Sequence, residues 1–266
     1  MMGKMDVGWQ EEDRETKINS THRAFESFDA SGDEAWPVRL IKLESVLTPK
    51  IPRHAELGEE LWVFYARYSQ FQGRLPQLSE RETRIVEKFK VAHAAGLYAF
   101  AHGVLRLVLG KVLSISPENL RFTADPNGKP RLLQPEGLSV VFNLSHSGDA
   151  VALAISREAE VGIDLERIRP FSDMAEMVKN LFHPRDIQFF DQLHRREKIQ
   201  GFYRLWTQKE AMVKAVGTGL VFPLEKFCIP GMDGGLCELP GGSRGQVVLF
   251  TPWPDYVGAV AVEGHL

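Results

Sequence analysis

The chain has 266 residues, of which 44% are hydrophobic and 25% charged, and its formal net charge at pH 7 is −3. This composition indicates a globular protein of one large domain or two small packed ones, and it lacks the basic excess of most nucleic-acid-binding proteins, so we expect no nucleic-acid partner. We find no apolar run long enough to span a bilayer and no apolar signal core at the start, and therefore expect a cytoplasmic protein without a membrane partner.

The first 55 residues predict a flexible extension, because they are charged, polar and rich in turn-forming residues. One apolar segment interrupts them at residues 38–47, "VRLIKLESVL". We expect this segment to lie on the body of the protein, while the rest of the extension stays mobile.

The next region predicts a strand, a long helix and a second strand. Residues 61–69, "LWVFYARYS", are rich in aromatic and β-branched residues, which favour sheets. Ser79 and Glu82 form a capping-box pattern for one continuous helix to about residue 113, with a bend at Gly96. A cluster of turn-forming residues at 124–132 then leads into a strand over residues 138–147.

The remaining elements begin with two apolar strands joined by a short link, which predicts a hairpin of residues 150–156 and 160–168. Helical patterns with start and stop signals follow, and the last helix ends at Gly217. These predicted helices cover residues 173–182, 183–193 and 197–216, and two further strands cover residues 246–251 and 257–264.

The two cysteines, Cys228 and Cys237, lie in a late, loop-rich part of the chain. They are too few for a disulfide scaffold, and their spacing is not that of metal ligands. We expect both to be free thiols.

This order of elements predicts an α+β fold of two similar halves, each an antiparallel sheet packed with helices, related by a pseudo-twofold axis. The expected boundaries are an extension over residues 1–55, an N-terminal half over 56–159 and a C-terminal half over 160–266.

The first candidate site residues stand on the predicted strand "EVGIDLE". Asp164 and Glu166 are two positions apart, so both project from one face of a strand. One interpretation is a half-exposed strand with its carboxylates in water. The other is a site for Mg²⁺, a hard cation that binds one or two carboxylates together with phosphate oxygens.

The helix over residues 197–216 carries charges within a mostly apolar pattern. Glu210 and Lys214 are four residues apart and share one face, either as a surface ion pair or as part of a site. Lys209 lies beside the apolar stripe, and the sequence leaves open whether it is structural or a second cation at the site.

Two short segments have the composition of a phosphate site. In "NLSHSGD", Ser145 and His146 offer a hydroxyl group and an imidazole at a strand end, although such a segment is also an ordinary turn. In "NGKP", Lys129 places a cation on a rigid turn, and the alternative is a solvated lysine.

Taken in order, the segments "GKP", "FNLSHSGD", "VGIDLE" and "FYRLWTQKEAMVKAVGTGL" resemble the 4′-phosphopantetheinyl transferases of the surfactin-synthetase-activating type, from about residue 61 to the C-terminus. The resemblance implies the fold of that family and a monomer. It also implies a Mg²⁺-dependent transfer of the phosphopantetheine arm of coenzyme A, the co-substrate, to a serine of an apo carrier protein, with release of 3′,5′-ADP. Carrier proteins of the acyl, peptidyl and polyketide types all remain open as partners.

The resemblance also implies roles for the candidate residues. Asp164, Glu166 and Glu210 would hold Mg²⁺, and Glu210 would take the proton of the carrier serine. Phosphate binding would involve the side chains of Lys214, Lys129, Ser145 and His146, and the catalytic group would comprise Glu210, Lys214 and His146.

The long first helix departs from the family pattern. His93 stands where many relatives have an arginine that contacts the 3′-phosphate of coenzyme A. Lys90, His93 or Arg106 would have to compensate, and a histidine would make coenzyme A binding depend on pH. The segment "HRREK" (residues 194–198) and Arg204 are candidates for docking an acidic carrier, or simply a solvated charge run.

Two alternatives to the transferase remain. One is an inactive module of the same fold that binds coenzyme A or a carrier. The other is a different Mg²⁺-dependent phosphate enzyme such as a nucleotidyl transferase, although the chain contains no GxxxxGK[ST] phosphate loop.

Overall fold

The computed structural model describes residues 24–25, 36–47, 51–133, 138–219, 222–229 and 231–264. Its strands are β1 (Ala24–Phe25), β2 (Val38–Lys42), β3 (Leu61–Arg67), β4 (Phe122–Ala124), β5 (Pro130–Leu132), β6 (Val141–Ser147), β7 (Ala150–Ser156), β8 (Glu160–Arg167), β9 (Gly234–Glu238), β10 (Arg244–Phe250) and β11 (Tyr256–Gly264). Its α-helices are α1 (Glu80–Val86), α2 (Ala92–Leu113), α3 (Met174–Leu181), α4 (Pro184–Gln192) and α5 (Lys198–Val216).

The strands form two main sheets, one from each part of the chain. The first has the order β1-β2-β3-β7-β6, and all its pairs are antiparallel except β2 with β3. The second has the order β8-β11-β10-β9 and is antiparallel throughout, and β4 with β5 makes a small separate hairpin. The predicted α+β fold with antiparallel sheets is confirmed, with one parallel pair added.

The apolar segment of the expected N-terminal extension is part of the first sheet. Its strand β2 pairs with β3, and Val38, Ile41 and Leu43 are buried. Residues 38–42 are therefore a strand of the sheet, whereas the sequence predicted only that this segment would lie on the body of the protein. The predicted flexibility of residues 1–23, 26–35 and 48–50 concerns positions outside the described part of the chain.

Helix α2 forms the core of the first half. Phe100, Val104 and Val108 are buried in the same apolar cluster as Phe64 and Leu153 of the sheet. Contrary to the expectation from the sequence, this helix is long and apolar enough to cross a membrane. However, 72% of its most apolar 18-residue segment is buried within the protein, so it packs here as a core helix.

Helix α5 has the same position in the second half. It packs closely on β8 and β11, and a Cβ atom at Gly162 would overlap the carbonyl oxygen of Ala211. The helix ends at Gly217, whose φ of 75° is the left-handed conformation that glycine adopts without strain. The predicted end of this helix is confirmed, and both cysteines are free, as predicted.

The predicted hairpin of residues 150–156 and 160–168 is wrong. Strand β7 pairs with β3 and β6, whereas β8 pairs with β11 in the other sheet. Both strands are buried over most of their length, so each fits the interior of a sheet, and the apolar pattern does not specify which neighbour pairs with it.

The predicted continuous helix over residues 79–113 is also wrong. The helix breaks at residues 87–91, so that α1 folds back onto α2, and Gly96 lies within α2 away from the break. The capping box at Ser79 and Glu82 is confirmed. The Glu82 carboxylate also accepts hydrogen bonds from Arg106 at 2.9 Å and contacts His102 at 2.9 Å, and these tertiary bonds favour the fold-back over a straight helix.

The Glu82 cluster predicts a stability that depends on acid pH. Burial acts to raise the pKa of Glu82, but hydrogen bonds from His102, Ser79 and Arg106 outweigh it and lower the pKa to about 2, from an ordinary 4.5. The stabilisation is therefore complete above pH 4.5 and is lost as the pH falls towards 2. We expect Glu82→Gln to cost about 3 kcal/mol at pH 5 and roughly half of that at pH 3, measured by urea unfolding.

The matched control is Glu80→Gln on the same helix, because Glu80 is 90% exposed and its ion pair with Arg84 lies on the surface. This change should cost less than about 1 kcal/mol at either pH. A cost of Glu82→Gln that stayed constant between pH 5 and pH 3 would contradict the prediction.

Candidate active site

The two sheets meet along β6 and β8, which lie side by side without a backbone ladder. Side-chain oxygens of every second residue on β6 accept hydrogen bonds from backbone N–H groups of β8. These bonds join Asn143 to Ile163 at 2.9 Å, Ser145 to Leu165 at 3.2 Å and Ser147 to Arg167 at 3.1 Å. We call these three bonds the polar seam. The first two satisfy buried backbone donors, which are costly to leave without a partner, and the third lies at the exposed end of β8.

The polar seam also orients the carboxylates of β8. The Ser145 hydroxyl donates to Asp164 Oδ1 at 3.0 Å, and the Ser147 hydroxyl donates to Glu166 Oε2 at 2.7 Å. Asp164 Oδ1 also accepts a hydrogen bond from Lys214 Nζ at 2.6 Å. Each serine therefore fixes both the strand and the acid beside it.

Helix α5 closes the other side of the site. Trp206, Glu210 and Lys214 follow one another at single-turn spacing and face β8. Together with β6 and β8 they enclose a cavity of about 360 Å³, which we call the central cleft. Its lining includes Ser145, His146, Asp164, Glu166, Glu210 and Lys214, so the structure brings together six of the predicted site residues.

The central cleft holds more negative charge than positive charge. Burial and the neighbouring Asp164 raise the pKa of Glu166 to about 7. Burial also raises the pKa of Glu210, and Lys214 only partly offsets this. Asp164 Oδ2 is buried and has no hydrogen-bond partner among the described residues.

These features fit a cation that is shared with a ligand. Within the described ranges, no group of three Asp, Glu, His or Cys side chains is close enough to hold a metal ion by itself. Mg²⁺ needs only one or two carboxylates where phosphate oxygens complete its coordination. The unpartnered Asp164 Oδ2 and the raised pKa values of Glu166 and Glu210 are what such a cation would relieve.

His146 is solvent-accessible at the edge of the central cleft. Partial desolvation there and the positive charge of Lys214 lower its pKa. Its imidazole is therefore a neutral hydrogen-bonding group at pH 7 rather than a fixed cation.

Lys129 does not line the central cleft. Its ammonium group is buried and bonds Glu160 at 2.9 Å and the Ala215 carbonyl at 3.2 Å. These bonds connect the β4–β5 turn of the first half to Glu160 and to the end of α5 in the second half. The phosphate contact predicted for this side chain stays a prediction, and its ammonium group lies outside the central cleft.

Arg106 and His93 also lie away from the central cleft. Arg106 is only 2% exposed, and its guanidinium is committed to Glu82 and the Pro117 carbonyl. His93 is exposed and contacts the Gly148 carbonyl at 3.0 Å. The sequence pattern could not reveal either commitment, because both partners come from other elements.

Lys209 is structural. It is fully buried behind the site, forms a 2.7 Å ion pair with Asp186, and donates to the carbonyls of Leu224 and Phe227 at 2.8 and 2.7 Å. This settles the question that the sequence left open, since the ammonium group points into the core of the second half.

A second cavity, of about 500 Å³, adjoins the central cleft and is formed by α1, α2 and strands β4 to β6. Leu144 and His146 line both spaces. Its wall combines aromatic and cationic side chains, among them Arg81, Tyr98, His102, Arg121 and Phe122. No sequence pattern indicates this cavity, because its residues are scattered over several elements and form no motif.

Comparison with known proteins adds to this geometry. Residues 160–250 match the family described as the 4′-phosphopantetheinyl transferase superfamily, and residues 64–158 match the family described as 4′-phosphopantetheinyl transferase, N-terminal. The chain is 31% identical over 229 residues to the 4′-phosphopantetheinyl transferase HetI of Nostoc, covering 84% of this chain and 95% of that protein.

Two further relatives share parts of their length with this chain. The 4′-phosphopantetheinyl transferase of Bacillus subtilis is 30% identical over 141 residues, which cover 52% of this chain and 61% of that protein. The 4′-phosphopantetheinyl transferase AcpT of Escherichia coli is 39% identical over 112 residues, or 42% of this chain and 55% of the relative.

Proposed function

This chain belongs to the 4′-phosphopantetheinyl transferase superfamily, and from that premise we propose that it transfers the phosphopantetheine arm of coenzyme A to a serine of an apo carrier protein. The serine oxygen forms a bond to the β-phosphorus of coenzyme A, the bond from that phosphorus to the bridging oxygen breaks, and 3′,5′-ADP leaves. The central cleft carries this proposal, because its buried acids and single ammonium group suit a metal-bound diphosphate.

Mg²⁺ would be held by Asp164, Glu166 and Glu210, together with oxygens of the diphosphate. When bound, the ion would neutralise charge on the phosphate oxygens and orient them. The Ser145 and Ser147 hydroxyls hold the first two acids in place, and burial within the cleft strengthens every electrostatic contact there.

The remaining groups of the cleft bind and orient the diphosphate. Lys214 supplies a positive charge beside Asp164, and a phosphate oxygen would compete with that acid for the ammonium group. His146 stands between the central cleft and the second cavity, where it would contact a phosphate as a neutral donor. Glu210 would accept the serine proton, because its raised pKa makes it a better base than an ordinary glutamate.

The second cavity would hold the nucleotide end of coenzyme A. It shares Leu144 and His146 with the central cleft, its aromatic walls suit an adenine, and Arg81 and Arg121 bring positive charge for the 3′-phosphate. We propose these arginines for that phosphate in place of Arg106, which is neutralised by Glu82.

A single copy of the chain forms both sides of the cleft, since β6 comes from the first half and β8 and α5 come from the second. This arrangement supports a monomer, and light scattering at working concentration tests the oligomeric state. That the protein works in the cytoplasm without a membrane partner stays part of the proposal and does not follow from the cleft.

The direct test of function is to incubate the protein with coenzyme A, Mg²⁺ and an apo acyl carrier protein, and to measure the intact mass of the carrier. We expect the carrier to gain one phosphopantetheine. Peptidyl and polyketide-type carriers in parallel reactions would define the preferred acceptor. Binding of coenzyme A with no mass gain on any carrier would instead support an inactive binding module.

A further inference from the structure

The turn between β6 and β7 controls one of the carboxylates of the central cleft. Ser147, the last residue of β6, donates its hydroxyl hydrogen to Glu166 at 2.7 Å. Gly148 and Asp149 follow it, and Gly148 has a φ of 61°, a left-handed conformation that glycine adopts without strain. The position of this turn therefore determines where the Ser147 hydroxyl meets the Glu166 carboxylate.

A tyrosine of the second half holds this turn. Tyr256, the first residue of β11, is fully buried, and its hydroxyl oxygen accepts a hydrogen bond from the Asp149 N–H at 3.0 Å. The same hydroxyl donates to Asp149 Oδ1 at 2.8 Å and lies 3.2 Å from the Ser147 carbonyl oxygen. A Cβ atom at Gly148 would come within 2.4 Å of the tyrosine oxygen, so the turn rests directly on the hydroxyl group.

The ring of Tyr256 is held in place as well. The guanidinium carbon of Arg67 lies 4.9 Å from the centre of this ring and 4.8 Å from that of Trp253. Arg67 also pairs with Asp149 at 3.3 Å and with Asp255 at 2.8 Å. Because cation–π contacts and buried ion pairs restrain the groups that make them, the tyrosine hydroxyl is a fixed point for the turn.

The backbone completes the connection between Tyr256 and Glu166. Strand β11 pairs with β8 so that Tyr256 stands opposite Arg167, and Val257 stands opposite Glu166. The Arg167 N–H is directed towards β6, where it donates to the Ser147 hydroxyl at 3.1 Å. A closed circuit of contacts thus runs from Glu166 through the ladder to Tyr256, through the turn to Ser147, and back to Glu166.

We propose that Tyr256 is a positioning residue of the transfer reaction, because its hydroxyl group holds Ser147 where that serine orients Glu166 for Mg²⁺. This inference rests on the proposed transferase function and adds a residue that touches neither metal nor substrate. Without the hydroxyl group, the Asp149 N–H loses its acceptor and the turn shifts. The Ser147 hydroxyl then no longer fixes one orientation of the carboxylate, and removal of such supporting groups commonly weakens metal binding by about 10- to 100-fold.

Tyr256→Phe tests this role, since it keeps the ring with its Arg67 contact and removes only the hydroxyl group. Mn²⁺ serves as a paramagnetic probe for Mg²⁺, and the electron paramagnetic resonance signal of free Mn²⁺ gives its dissociation constant for the protein saturated with coenzyme A. We expect Tyr256→Phe to raise this constant about tenfold and to speed exchange of the Arg167 amide hydrogen.

The matched control is Tyr203→Phe in the same half of the chain. Tyr203 is also buried, and its hydroxyl donates to the Arg169 carbonyl at 3.1 Å. The control therefore loses a comparable hydrogen bond without a contact to the turn, and it should leave the Mn²⁺ constant unchanged.

Two further variants distinguish positioning from general destabilisation. If Tyr256 acts through Ser147, adding Tyr256→Phe to Ser147→Ala should cause no further rise in the Mn²⁺ constant. Gly148→Ala, whose added methyl group forces the turn off the hydroxyl group, should raise the constant to a similar extent.

An unchanged Mn²⁺ constant in folded Tyr256→Phe or Gly148→Ala, or a double variant in which the single effects multiply, would overturn the positioning role alone. The Mn²⁺ measurement needs no turnover. Failure of the unchanged protein to modify any carrier would instead overturn the proposed function.

Discussion

Replacing Glu210 with glutamine is expected to lower the rate of phosphopantetheine transfer by about a thousandfold or more while leaving the protein folded. The carboxylate faces the central cleft, and it makes no hydrogen bond with another described residue. Glutamine keeps the size of the side chain but removes both the charge that would help hold Mg²⁺ and the oxygen that would accept the serine proton. The fold should tolerate the change, because the Lys214 ion pair with Asp164 stays in place.

Initial rates from carrier mass, measured across a range of Mg²⁺ concentrations, check this result. Glu225→Gln is the matched control, since Glu225 is an exposed glutamate in the same half of the chain. A shift in the Mg²⁺ concentration needed for half-maximal rate would assign Glu210 to the metal, whereas a loss that Mg²⁺ cannot correct would assign it to proton transfer. Near-normal rates would remove Glu210 from both roles.

Lys209→Met should destabilise the protein by about 3–5 kcal/mol in the free energy of unfolding. The change leaves the Asp186 carboxylate fully buried without its cation. Among the described residues, only the Ile229 N–H and the Cys228 thiol then donate hydrogen bonds to it. It also leaves the Leu224 and Phe227 carbonyls without their donor. The penalty comes from the groups that lose their partner more than from the value of the ion pair itself.

Urea unfolding monitored by tryptophan fluorescence measures this loss, and two further variants define its cause. Lys198→Met breaks a surface pair with Asp191, which is 68% exposed, and should cost less than about 1 kcal/mol. The double change Lys209→Met with Asp186→Leu should recover part of the loss, because no unpaired charge then remains buried. Equal costs for Lys209→Met and Lys198→Met would contradict a structural role for Lys209.

The sequence predicted the site better than it predicted the surroundings of the site. Alternation along β8 and single-turn spacing along α5 place Asp164, Glu166, Glu210 and Lys214 on surfaces that can meet, since those periods are properties of the backbone. The strand predicted over residues 61–69, which forms over residues 61–67, and the end of α5 follow from the same kind of local pattern. The resemblance supplied the family, which the comparisons confirm.

What the sequence could not predict depends on distant partners. The break between α1 and α2 follows from bonds between Glu82 and Arg106, which lie 24 residues apart. Lys129, which was predicted to bind a phosphate, pairs with Glu160. Lys209, which the sequence left open as structural or a second cation, pairs with Asp186. A long side chain can reach partners on several elements, so its partner depends on the tertiary structure and cannot be predicted from neighbouring residues in the sequence.

The way in which β6 and β8 are joined determines how this junction tolerates change. In a ladder of peptide groups, every residue type except proline supplies the same donor and acceptor, so substitutions leave the joint intact. At the polar seam the acceptors are the side chains of Asn143, Ser145 and Ser147. A single substitution can therefore remove one of these bonds and leave the other two in place. Mutation can thus weaken the contact between the two halves one hydrogen bond at a time, while the backbone ladders within each sheet stay intact.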